Sequence, residues 1–210
     1  MPTDETTPDT ILNQAIALAQ KSSWESFSLS ELAVQADCPL SVIKGFYRSK
    51  DDMAEALFNR ADDAMLSLSS DPEYLAQPSN NKLVQCIMTW FEFLAPYRPI
   101  IREILAYKLE PGHIHLQAHG ITRISRTVQW FLEVSNRKYS GLKRITDEVA
   151  TTSAYLASFS YFLFDKSEGS VNTQSMLEKL INRIDKGHRL FFSSNNDRKD
   201  CKQDGSIKGL

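Results

Sequence analysis

Residues Ser28 to Met53 read SLSELAVQADCPLSVIKGFYRSKDDM, and this stretch decides the fold. Leu29, Leu32, Ala33 and Ala36 are spaced three and four apart, which lays one apolar stripe along a first helix. Asp37-Cys38 interrupts the stripe, and Asp tolerates the left-handed backbone of a tight turn better than most residues. Pro39 restarts it, because proline has no N–H to lose and a helix-ready φ for the first turn of a new helix. Val42, Ile43, Phe46 and Tyr47 supply the second stripe. Ser49 with an acidic residue three places on is an N-cap signature. It opens a third helix to about Leu68, with Met53, Ala56, Leu57, Ala61 and Ala64 facing inward. Helix, turn, helix and a capped long helix make a helix-turn-helix layout.

Outward from this unit the chain reads as helical throughout. Upstream, Thr10 to Ala19 carries an Ile/Ala/Leu stripe, and Trp24 with Phe27 supplies an aromatic turn. Downstream, Ser69-Ser70-Asp71-Pro72 ends the long helix, and the polar residues to Asn81, broken by Pro72 and Pro78, predict a connector. Five further stripes follow: Leu83 to Leu94, Ile100 to Leu105, Ile121 to Leu132, Ile145-Val149-Leu156-Phe159-Leu163, and Leu177-Ile181-Ile184-Phe191. No alternating β-branched run and no Asn-Gly hairpin turn is present, so the fold class is all-α. The expected organisation is an N-terminal three-helix helix-turn-helix domain over residues 1–63 and a C-terminal helical bundle over 64–194. Residues 195–210 are polar and Gly-containing, and are expected to form a disordered tail.

This arrangement resembles the N-terminal domain of the TetR family of bacterial transcriptional regulators. The resemblance covers roughly the first 60 residues, and Tyr47-Arg48-Ser49-Lys50-Asp51-Asp52 is similar to the family's closing pattern. Three positions depart from it. Asp37 stands where the family commonly has Gly, Pro39 where it has a capping Ser, and Lys44 where a tyrosine often contacts phosphate. Gly45 weakens the presumed recognition helix by roughly 1 kcal/mol relative to Ala. The resemblance implies a ligand-responsive repressor acting as a homodimer on a palindromic operator, with its two reading helices about 34–36 Å apart. It also implies that the last two long helices, from Arg144 to Phe164 and from Thr173 to Phe192, form the dimer interface. Lys44, Arg48 and Lys50 are the candidates for DNA phosphates. Leu40 and Ser41 are the candidates for base edges, Leu by contact with a thymine methyl and Ser by hydrogen bond.

A second resemblance lies in the C-terminal half. Pro96-Tyr97-Arg98-Pro99, the Phe164-Asp165-Lys166-Ser167 element and the segment Tyr155 to Ile184 are similar to the lipid-binding protein family of coenzyme Q biosynthesis. Its members share the TetR fold and carry an isoprenoid lipid, which implies an alternative: a lipid-binding protein that has lost DNA binding. Charge favours this alternative. Residues 1–63 hold five basic and eleven acidic side chains, a net charge of −6, whereas DNA affinity comes largely from neutralising phosphates. Arg and His are missing from Pro39 to Tyr47.

Composition narrows the function further. No apolar run approaches the roughly 18 residues of a membrane span, and the N-terminus lacks a secretory signal, so a cytoplasmic protein is expected. Cys38, Cys86 and Cys201 are widely spaced with no CxxC pair, which fits a reducing compartment and argues against a zinc knuckle. His115 and His119 stand one helical turn apart with His113 nearby, but no carboxylate or thiol lies at useful spacing, so no metal site is expected. Arg137-Lys138 and Lys143-Arg144 around Tyr139-Ser140-Gly141 read as a helix terminus and a solvated loop. No GxSxG elbow, P-loop or GxGxxG is present; neither a catalytic residue nor a cofactor is expected. Trp90, Phe91, Leu105, Phe131, Tyr155 and Phe159 lie on helices expected to surround a central pocket, suited to a small apolar ligand of acyl, isoprenoid or aromatic type.

Overall fold

The computed structural model describes the backbone of residues 6–109 and 114–203, and the side chains of 6–108 and 120–190. Among the described residues there are ten α-helices and no strand. They are α1 (Pro8–Lys21), α2 (Leu29–Gln35), α3 (Leu40–Phe46), α4 (Lys50–Leu66), α5 (Pro72–Leu75), α6 (Ser79–Leu94), α7 (Arg98–Leu109), α8 (Ile114–Val134), α9 (Gly141–Phe162) and α10 (Val171–Gln203). The contacts group the chain into two compact units. One comprises Met1–Ser67 and Thr89–Arg123, the other Leu68–Met88 and Ile124–Leu210. The first unit therefore takes in a second segment well beyond the 1–63 expected as a domain.

In the first unit the helix boundaries follow local chemistry. Ser28 caps α2 by accepting from the Glu31 N–H, and the Glu31 carboxylate accepts from the Ser28 N–H in return. Asp37 then adopts a left-handed φ of 46°. Its N–H donates to the Val34 carbonyl while the Cys38 N–H donates to the Ala33 carbonyl, the paired closure that ends a helix in a left-handed residue. Pro39 is the N-cap residue of α3 and Ser49 that of α4, where its hydroxyl accepts from the Asp52 N–H. Ile11, Leu12, Ala15, Leu32, Ile43, Met53, Leu57 and Ala61 are buried and form the core beneath these helices. Each large one contributes about 1.5–3 kcal/mol by leaving water.

In the second unit α9 packs along α10. The end of α8 repeats the closure seen after α2: Asn136 takes φ 56°, and the Arg137 N–H donates to the Leu132 carbonyl. Three expectations change. The connector before Asn81 holds the short helix α5, and its Tyr74 is fully buried with its hydroxyl donating to the Lys82 carbonyl, so an aromatic anchor ties the segment down. The stripe Ile145-Val149-Leu156 is exposed, because α9 turns Asp147, Thr151, Ala154, Tyr155, Ser158, Phe159 and Phe162 inward instead. The backbone of α10 stays helical past Asn195 to Gln203, a stretch with no Pro or Gly to stop it. Residues 204–210 of the expected tail lie outside the described residues, as do the side chains of His113, His115 and His119.

Candidate nucleic-acid interface

The reading unit is assembled around α3. Ile43 and Tyr47 are buried, and the Tyr47 hydroxyl donates to the Pro8 carbonyl, which pins the inner face of α3 and its exit to α1. Leu40, Ser41, Lys44 and Gly45 are exposed at positions i, i+1, i+4 and i+5, so they share the opposite face. Arg48 follows just beyond the helix with its side chain 86% exposed. It makes a 3.3 Å pair with Asp52, which at such exposure holds it only weakly. Four of the five residues expected at DNA, namely Leu40, Ser41, Lys44 and Arg48, are thus accessible.

Lys50 is different. Its ammonium donates to the carbonyls of Trp24 (3.0 Å), Glu25 (2.8 Å) and Phe27 (3.1 Å) and lies 4.8 Å from the centre of the Phe27 ring. Burial pushes its pKa below the ordinary lysine value, with the Glu25 carboxylate opposing. Lys50 therefore holds the aromatic turn between α1 and α2, where Trp24 and Phe27 meet edge to face. Its donors are committed, which removes it from the set expected at phosphates.

Part of the acidic excess of residues 1–63 finds partners. Asp51, Glu55 and Asp62 lie along one face of α4, four and then seven residues apart, which is about one turn and then two. Lys108 of α7 pairs with Asp51 (3.2 Å) and Glu55 (3.3 Å), and Arg123 of α8 pairs with Glu55 (3.2 Å) and Asp62 (2.8 Å). Asp62 also accepts from the Trp90 indole, and Arg60 binds Asp9 at 2.6 Å. Each of these four carboxylates is paired with a cation, and two of the three cations, Lys108 and Arg123, lie outside residues 1–63.

Similarity to solved structures now decides the family. The chain is 32% identical to the TetR transcriptional regulator from Nitrosomonas europaea ATCC 19718, with a TM-score of 0.75 over 84% of this chain and 97% of that one. The protein belongs to the TetR family of transcriptional regulators. A TetR-like transcriptional regulator from Rhodococcus sp. RHA1 matches at 17% identity and a TM-score of 0.50, covering 83% of this chain and 93% of that one, and shares the fold. No protein-family model and no curated protein sequence matches the chain. As a TetR-family member the protein is a TetR-like transcriptional regulator and not an enzyme, and membership of this family implies DNA binding. None of the helices among the described residues is long and apolar enough to cross a membrane, and the described residues hold no cluster of three metal-binding side chains.

The residues expected at a ligand fall into two groups. In the first unit Trp90 and Phe91 meet edge to face, Trp90 also stacks on Phe58, and Leu105 is half-buried. In the second unit Phe131 meets Tyr155 at 5.3 Å and Tyr155 stacks on Phe159 at 5.9 Å, an aromatic series that continues to Phe162. Sequence reasoning missed Arg137, read as a solvated cation. It is buried and paired with Asp147, hydrogen-bonded to Asn80, and lies over the Tyr139 ring. The only hint was Asp147 ten residues on, at no periodic spacing.

Proposed function

We propose that this TetR-family regulator is a cytoplasmic, ligand-responsive repressor that binds a palindromic operator as a homodimer. The observation that carries this reading is the outer face of α3, where Leu40, Ser41 and Lys44 are exposed, with Arg48 exposed just beyond the helix, while Ile43 and Tyr47 anchor the inner side. Lys44 and Arg48 meet phosphates, and Leu40 and Ser41 meet base edges. The dimer is supported by the exposed apolar row on α9: Leu142 (59%), Ile145 (53%), Val149 (61%) and Leu156 (37%). Such a row on a water-soluble protomer marks an association face. The aromatic series Phe131, Tyr155 and Phe159 is the contact surface for a small apolar ligand, which releases DNA only by binding the DNA-incompetent state more tightly.

The lipid-binding alternative draws on the acidic first 63 residues, and the pairs made by Lys108 and Arg123 from outside them weaken that support. Fluorescence anisotropy tests the two. Purified protein is titrated against its own upstream DNA and against duplexes from a genome-wide selection, at several salt concentrations and with scrambled DNA as control. Saturable, sequence-preferring binding that weakens with salt is expected. No preference in either DNA set would sink the repressor reading and leave the lipid-binding one.

A further inference from the structure

Gly45 stands in the middle of the outer face of α3, and neither its backbone nor its packing asks for glycine. Among the described residues the glycines with left-handed φ are Gly141 and Gly169, so Gly45 keeps ordinary helical geometry. Beyond its chain neighbours and the helix's own backbone, a Cβ at Gly45 would meet no heavy atom within 4 Å. Alanine would fit there and would strengthen a helix of seven residues whose N-cap residue, Pro39, offers no side-chain hydrogen bond. Gly120 in α8 and Gly187 in α10 have equally open surroundings. What distinguishes Gly45 is its company: Ser41 one turn before it, Lys44 beside it and Arg48 three residues on, all exposed. A hydroxyl and two cations around a bare stretch of helix backbone are the groups that bind phosphate oxygens.

We propose that Gly45 is a close-approach site for the DNA sugar–phosphate backbone, where the missing side chain lets a phosphate settle against α3 between Lys44 and Arg48. This deepens the DNA-binding reading and rests on it. A methyl group at Gly45 would hold the strand off the helix and lengthen the contacts of both cations at once.

The test uses the full chain with Gly45→Ala, and Gly120→Ala as the same chemical change away from the reading face. The DNA is the duplex selected by the wild-type protein, with scrambled duplex beside it. Gly45→Ala is expected to melt about 2–4 °C higher, yet to bind both duplexes at least ten-fold more weakly. Gly120→Ala should melt higher with affinity unchanged. Wild-type affinity in Gly45→Ala would overturn the proposal, and so would a lower melting temperature, which would make glycine a requirement of the fold. A loss confined to the selected duplex would put a base edge, not the backbone, at this position and overturn the assignment. Wild-type protein with no preferred DNA would take down the repressor reading and this inference together, a result distinct from a failure of Gly45→Ala alone.

Discussion

Arg48 and Lys50 belong to one short motif, carry the same charge and have different fates. The Arg48 side chain extends into solvent, while Lys50 turns back onto three carbonyls and the Phe27 ring. The difference follows from position. Arg48 precedes the cap of α4, whereas Lys50 is its first residue and points back toward the α1–α2 turn, as side chains in a first helical turn do. Arg48→Ala should leave the melting temperature unchanged, weaken DNA binding equally on all sequences, and reduce the salt slope by about 1. Lys50→Ala leaves carbonyls without their donor and should cost about 1–3 kcal/mol of stability. Denaturant melts beside anisotropy titrations separate the two, and a stable Lys50→Ala with weakened DNA binding would return Lys50 to the interface.

At the scale of elements, termini are set by a few hydrogen bonds. The loop into α10 is held by Asp165, which accepts from the N–H and hydroxyl of both Ser167 and Thr173. Burial raises the Asp165 pKa, but these four donors outweigh it and hold the carboxyl well below the usual carboxylate range. With a depressed folded pKa, the stabilisation is present above the unfolded value of about 3.9. It is lost as pH falls toward the folded value. Asp165→Asn should therefore be less stable at neutral pH, by about 1–3 kcal/mol. The gap to the wild type should narrow below about pH 4, as thermal melts across pH 2–7 would record. A gap that stayed constant would show that the carboxylate charge is not what closes this loop. The α9 row argues the same point about elements from the opposite side. Its apolar period marks a helix correctly, but period alone does not say whether a stripe faces its own core or another molecule.

At the scale of the molecule, the exposed α9 row makes the proposed dimer testable. A two-fold axis would bring Val149 of both protomers into one interface, so Val149→Asp sets like charges together in apolar surroundings. Sedimentation should show a monomer with an unchanged helical spectrum, and operator affinity should fall at least 100-fold because each half-site is then bound alone. A dimer that persists would move the interface elsewhere. The sequence by itself determined the all-α class and the order of the longer helices, but not the short α5. It also determined the turn at Asp37, the cap at Ser49 and the exposed set Leu40, Ser41 and Lys44 on α3 with Arg48 just beyond it. All of these depend on residues within a turn or two of one another, so spacing and cap chemistry carry them. Only the tertiary structure decided that Lys50 grips the Trp24–Phe27 turn, that Lys108 and Arg123 pair with Asp51, Glu55 and Asp62 of α4, that Arg137 is buried on Asp147, and which face of α9 looks outward. Those outcomes depend on which distant groups the packed helices bring within hydrogen-bond reach, and an isolated charge or stripe carries no record of its partner.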